Sequence, residues 1–267
     1  MNDGEVLAGG VANAGSIIRI GDEVRRPASA QTELVFSLLE HVRSKGFTGV
    51  PEPLGRDAQG RERLRFIPGE VAIPPFPRWS LSPGLLASVA RLLRAFHDAV
   101  ADFVPPANAR WNTELAHPAG GQIIGHNDAC VENVIVRGGR AAALIDFEFA
   151  APTHPLHDLA VLARHWVPLE TPEDAARDGR SGLDVAARFR IVADVYGIPF
   201  GAKREEFLDH VVAGIHRSGP FVLARIARGE QAFIDMWERS GGHDRIARRI
   251  AWIDSIRSEL SMALNTA

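Results

Sequence analysis

The sequence is poor in several things that particular functions require. Cys130 is the single cysteine of the 267 residues, so neither an intrachain disulfide nor a cysteine-based zinc cage can form. No apolar run approaches the roughly 18–20 residues needed to cross a bilayer. The first residues, MNDGEVLAGG, lack the basic and then apolar pattern of a secretion signal. Thirty basic residues face 33 acidic ones, a net charge of −3, so there is no basic excess with which to hold a polyanion. Lysine is nearly missing: only Lys45 and Lys203 occur, and neither lies in a predicted strand. Hydrophobic residues make up 46% of the chain, too many for intrinsic disorder. Together these features predict a soluble, cytoplasmic protein of one or two lobes, without a nucleic-acid, membrane or obligate protein partner.

The first seventy residues read as strands around one helix. Val6-Leu7 leads to Gly9-Gly10. Ile17–Ile20 and Glu23–Arg26 flank a Gly21-Asp22 turn, which predicts a hairpin that Pro27 closes. Gln31–Lys45 carries Leu34, Val35, Leu38, Leu39 and Val42 on one helical face, with Gly46 as its stop. A further strand is expected over Glu62–Ile67. Pro68, Pro74, Pro75 and Pro77 then mark a connector, and Pro83–Phe103 is a strong amphipathic helix. The division expected is a small mixed lobe over 1–70 and a larger helical lobe over 71–267. In the latter, Val185–Val195, Arg204–His216, Val222–Arg239 and Arg245–Leu260 show helical periodicity.

The chemistry concentrates in Gln122–Leu162. Val134–Val136 and Ala141–Ile145 flank Arg137-Gly138-Gly139-Arg140, a pattern for a hairpin with a two-residue Gly-Gly turn. Regular pairing sets Arg137 against Arg140 and Asn133 against Leu144, with Asp146 two residues beyond. Asp128 lies in the loop feeding the first strand. One short hairpin therefore gathers Asp128, Asn133 and Asp146, hard oxygen donors suited to Mg²⁺. Phosphoryl transfer needs such a metal on the phosphates and a carboxylate to orient the attacking hydroxyl. Kinase-type loops place that Asp five residues before a metal-binding Asn, as Asp128 and Asn133 are placed, with a metal-binding Asp after a strand.

These residues resemble the aminoglycoside phosphotransferase family, small-molecule kinases of the protein-kinase-like fold. His126-Asn127-Asp128 with Asn133 is similar to the family's catalytic loop, Ile145-Asp146-Phe147-Glu148 to its metal-binding segment, and His157-Asp158-Leu159-Ala160 to the helix start that follows. Gly9-Gly10, Val24-Arg25 and Phe66–Glu70 fall where the small lobe and hinge belong. The resemblance implies an α+β bilobal fold, with a five-stranded antiparallel N-lobe, a helical C-lobe and ATP (or GTP) with Mg²⁺ in the cleft. It implies Asp128 as catalytic base, Asn133 and Asp146 as metal ligands, His126 as loop buttress and Asp158 as backbone brace. It implies Gly9, Gly10, Arg25, Glu33 and Phe66 on the nucleotide side.

Two positions depart from the family pattern. Asn127 stands where a glycine is usual, and the phosphate-pairing strand lysine is absent. Arg25 is the candidate for its role, with Arg26 as fallback and Glu33 as ion-pair partner. Two other readings remain open: a nucleotide-binding homologue without catalysis, and a metal phosphohydrolase built on the His97-Asp98, His157-Asp158 and His243-Asp244 pairs. Glu170, Glu173, Asp174, Asp178 and Asp184 form an acidic run that, at a pocket mouth, would favour a cationic acceptor such as an aminoglycoside or amino alcohol over a simple sugar.

Overall fold

A computed structural model describes residues 4–7 and 15–266. Gly9 and Gly10 lie outside the described residues. Five antiparallel strands form the N-terminal sheet: β1 (Glu5–Val6), β2 (Ile18–Ile20), β3 (Glu23–Arg26), β4 (Pro53–Arg56) and β5 (Glu62–Arg65), in the order β1-β2-β3-β5-β4. Helix α1 (Thr32–Ser44) packs Val35, Leu38, Leu39 and Val42 inward, the periodic face expected. The remainder is mainly helical, which makes the chain an α+β fold.

Helix α2 (Pro83–Val100) is the spine of the helical part. Ser82 caps it by accepting from the Leu85 amide at 3.1 Å, Pro83 fits its first turn, and Leu85, Leu86, Val89, Leu93 and Phe96 are fully buried. On it lies the hairpin β7 (Val134–Arg137)–β8 (Arg140–Leu144), anchored where Ala141 N–H donates to Ser88 Oγ at 2.8 Å. Gly138 and Gly139 have φ of 56° and 72°, as a two-residue turn of this hand requires. A bulge between Ile135 and Val136 leaves Val134, not Asn133, opposite Leu144. Asn133 pairs instead with Ile145, whose N–H donates to its carbonyl at 2.9 Å, so Asp146 is one residue nearer to it than regular counting expects.

A second small pair, β6 (Ile123–Gly125) with β9 (Ala151–Thr153), leads directly into α3 (Pro155–Trp166). The last helices are α4 (Pro172–Arg177), α5 (Val185–Tyr196), α6 (Ala202–Ala227), α7 (Gln231–Ser240) and α8 (Gly242–Asn265). The break expected between 216 and 222 does not occur: α6 runs through Pro220. A proline forfeits one helical hydrogen bond, and packing on α3 and α8 carries the helix past it. The real interruption is Gly229, at φ 74°, which separates α6 from α7. No described helix is long and apolar enough to cross a membrane.

The link between the sheet and the helices is a close backbone approach. Glu70 pairs in both directions with Val136 at 2.8 Å. Gly69 allows it, since a Cβ there would stand 2.4 Å from Ile135 Cγ2 and 2.6 Å from the Val136 carbonyl oxygen.

Candidate active site

The loop between β6 and β7 is built around one buried carboxylate. Asp158, in the first turn of α3, accepts from the backbone N–H groups of His126 and Asn127, each at 2.7 Å, and from His97 Nε2 at 2.9 Å. Burial works against its charge, but the hydrogen bond and charge of His97 outweigh it, and its pKa lies below the ordinary carboxylate value. Tyr196 extends the chain, its hydroxyl 2.6 Å from His97 Nδ1. Gly125 makes room: a Cβ there would lie 2.4 Å from Thr153 Cγ2 and 2.7 Å from Asp158 Oδ2.

Asn127 explains itself by its backbone. Its φ of 60° is left-handed, a region that glycine and then asparagine tolerate best. Its side-chain amide donates to the Phe149 carbonyl at 3.0 Å and the Ala151 carbonyl at 3.3 Å, stitching the loop to β9. His126 is fully buried against Phe147, with ring centroids 4.5 Å apart. Its Nδ1 accepts from Asp128 N–H at 3.2 Å, so Nε2 carries the proton and donates to the Ile145 carbonyl at 2.9 Å. Burial pushes its pKa down, which keeps this neutral tautomer. His126 thus ties the Asp128 loop to the residue preceding Asp146.

Asp128, Asn133 and Asp146 meet at one end of a cavity of about 890 Å³, with Glu132 and Glu148 beside them. Asn133 Nδ2 donates both to the Asp128 carbonyl and to Asp128 Oδ2, at 2.9 Å each. Burial, followed by the charges of Asp146 and Glu148, raises the Asp128 pKa well above normal. Asp146 has φ 62°, an unfavourable conformation for a non-glycine residue, and its side chain is held by Arg26. This set of clustered hard oxygen donors fits a divalent cation such as Mg²⁺.

The arginine facing the cluster is Arg26. Its Nη1 donates to Asp146 Oδ1 at 2.8 Å and its Nε to Glu62, whose other oxygen accepts from Thr32 Oγ1 at 2.6 Å. Burial disfavours the Arg26 charge, and Asp146 and Glu62 more than restore it. Arg25 points to the opposite face of β3, 3.5 Å from Glu23 and 3.8 Å from Asp57. Glu33 is exposed and bound by Arg56 at 2.8 Å, so it is not the ion-pair partner. Phe66 does not line the cavity; its ring lies 3.8 Å beneath the Arg19 guanidinium. Glu62, which sequence reading passed over, is the acid that holds Arg26. The ladder pairs the two directly, and Glu62 shares the inward face of β5 with Leu64.

Cys130 lines the cavity, but burial and then Asp128 raise its thiol pKa well above normal, so it is a poor nucleophile. The three His-Asp pairs do not assemble. His97 binds Asp158, His157 Nε2 lies 2.9 Å from the Leu115 carbonyl, and His243 packs against Trp237.

Three of the five acids of the run, Glu170, Asp174 and Asp178, are bound by arginines. Asp178 and the buried Glu170 share Arg245 at 2.6 Å, Asp174 is held by Arg248 at 3.0 Å, and Asp184 caps α5. The cavity lining also carries a basic wall of Arg164, Arg217 and Arg249, of which Arg164 acts on the charge of Asp128. None of the three has a carboxylate within ion-pair distance among the described residues. Arg164 donates to the Gly214 carbonyl at 3.0 Å, and its buried Nε has no partner.

The sequence pattern of the phosphotransferase enzyme family (APH) matches residues 109–191, the stretch that carries Asp128, Asn133, Asp146 and Asp158. The chain is also 33% identical, over 219 residues, to the trifolitoxin immunity protein of Rhizobium leguminosarum bv. trifolii, covering 79% of this chain and 80% of that one. The chain belongs to the APH phosphotransferase family. Two solved structures share the fold of this family member. A choline/ethanolamine kinase family protein from Mesorhizobium loti superposes with a TM-score of 0.63 at 18% identity, over 100% of this chain and 94% of that one. Choline kinase from Cryptosporidium parvum superposes with a TM-score of 0.56 at 12% identity, over 91% of this chain and 85% of that one.

Proposed function

We propose that the protein is a small-molecule kinase that transfers the γ-phosphoryl group of ATP (or GTP) to a hydroxyl of a compound bound in the cavity. The observation that carries this reading is the convergence of Asp128, Asn133 and Asp146 at one end of a cavity large enough for such a compound. Asp128 orients the acceptor hydroxyl and takes its proton as the oxygen attacks phosphorus; Asn133 fixes the rotamer in which it does so. Asn133 and Asp146 would hold Mg²⁺, which when bound neutralises phosphate charge. Arg26 supplies the phosphate-pairing cation in place of lysine, and Glu62 aims it. The nucleotide lies between residues 1–70 and 71–267.

The basic wall bears on the acceptor. Arg164, Arg217 and Arg249 favour a hydroxyl compound that also carries an acidic group, rather than the polycation suggested by the acidic run. The first test is nucleotide consumption, with Mg²⁺, across hydroxy acids, amino alcohols, sugars and aminoglycosides. A phosphorylated product supports the kinase reading. Nucleotide binding without turnover on any class supports the binding-only homologue.

The immunity relative favours a second, compatible reading, in which the acceptor is itself a toxic compound. Expression in a sensitive host should protect it, and Asp128→Ala should abolish the protection.

A further inference from the structure

Outside the carboxylate cluster, four of the ten histidines converge where α3 meets α6. The rings of His117, His154, His157 and His210 have centroids between 5.2 and 6.4 Å apart, and those of His154 and His210 are stacked. Their nitrogens are largely unused. His154 Nδ1 accepts a long cap from Leu156 N–H at 3.3 Å, so in the neutral ring Nε2 carries the proton and faces Glu206 Oε1 at 3.6 Å. A metal at Nε2 would take that proton's place, with the ring switching to its Nδ1-protonated tautomer and giving up the cap. His157 Nδ1 is buried without a hydrogen-bond partner. His210 makes no hydrogen bond among the described residues, and it stands one helical turn from Glu206 on the same face of α6.

A proton is a poor guest for this cluster. Burial, and then the neighbouring imidazoles, hold His210 down to about 4, and burial lowers His154 and His157 as well. Lys203, bonded to Glu206 Oε2 at 2.7 Å, and Arg217, near His157, add positive charge. Neutral imidazoles are the form that binds a transition metal, each through a ring nitrogen freed of its proton.

We propose that His154, Glu206 and His210 form a zinc site that pins α6 to the start of α3. The donor atoms of these three residues already lie within 4.8 Å of one another. Tetrahedral zinc, with bonds of about 2.0–2.1 Å, needs donor spacings of about 3.4 Å, so side-chain shifts of about an ångström complete the site. Two imidazoles and a carboxylate suit Zn²⁺ far better than Mg²⁺, and water fills the fourth position. His157 and His210 also line the cavity, so the bound ion would steady the wall that carries Arg217 and Phe221.

The test is calorimetric titration of Zn²⁺ into the tag-free, full-length protein after chelator treatment, with millimolar Mg²⁺ present to saturate the carboxylate cluster. One equivalent of Zn²⁺ should bind and raise the melting temperature. Glu206→Gln and His210→Ala should each weaken binding at least tenfold, whereas Asp128→Ala should leave it unchanged. Co²⁺ should give the intense visible bands of a tetrahedral site in the wild type and lose them in Glu206→Gln, a surface change that leaves the core intact. Failure to bind Zn²⁺, equal binding by the Glu206 and His210 variants, or loss of binding in Asp128→Ala would each overturn the site. None of these results depends on phosphotransfer, so the kinase reading stands or falls separately.

Discussion

Arg26 on β3 and Asp146 at the end of the β7–β8 hairpin are joined by a hydrogen-bonded ion pair of 2.8 Å across 120 positions of sequence. The pair joins the cation proposed to meet the phosphates to a proposed metal ligand. On the kinase reading proposed above, Arg26 would pair with phosphate and Asp146 with Mg²⁺ in the working complex, in place of one another.

Arg26→Ala should therefore raise the nucleotide KM by one to two orders of magnitude, the scale of one lost charge-assisted contact. Arg25→Ala should change it less than threefold, because Arg25 faces Glu23 and Asp57 on the other side of the strand. Steady-state kinetics on both variants decides the matter, and the reverse ranking would move the role to Arg25.

Asp158→Asn should destabilise the fold by roughly 3 kcal/mol, the scale of losing a buried carboxylate that accepts several hydrogen bonds. The sign of its pH dependence follows from the lowered pKa. The unfolded carboxyl titrates near 3.8 and the folded one below it, so the stabilisation is complete above about pH 4 and is lost as pH falls through the folded value. Denaturant melts between about pH 7 and pH 2 should show the gap between wild type and Asp158→Asn closing only below about pH 4. A gap of constant size would show that ionisation of Asp158 is not what stabilises the loop.

Gly125→Ala should cost roughly 1–3 kcal/mol, since its Cβ would stand 2.7 Å from the Asp158 carboxylate and 2.4 Å from Thr153. Thermal melts would show whether the loop gives way; an unchanged midpoint would mean that Asp158 can shift freely.

Arg217→Gln should raise the KM of a hydroxy-acid acceptor at least tenfold and leave the nucleotide KM unchanged. Its side chain is exposed, so the fold should survive. An acceptor KM that ignores the substitution, or a preferred acceptor that is purely cationic, would remove the basic wall from recognition.

Much of this architecture is legible in the residues themselves. The Gly-Gly turn, the His-x-Asp-x4-Asn spacing and the Ile-Asp ending locate the hairpin and its three polar groups, because local turn chemistry and short-range register decide them. What regular counting misses is tertiary in origin: the bulge after Ile135, and the packing that carries α6 through Pro220. The choice between Arg25 and Arg26 was within reach of period-two reasoning. Val24 is the apolar residue of β3, so Arg26 shares its inward face, and Glu62 shares that of Leu64 across the ladder. The fate of Glu170, Asp174 and Asp178 was not within reach, since Arg245 and Arg248 arrive from a helix about seventy residues away.

The central claim rests on Asp128. The direct measurement is turnover of Asp128→Ala on an accepted hydroxyl compound, alongside its nucleotide affinity by calorimetry. Asp128→Ala should lose roughly 10²–10⁴ in kcat while its nucleotide Kd stays within a few-fold of wild type. Retention of more than about a tenth of the activity would contradict it.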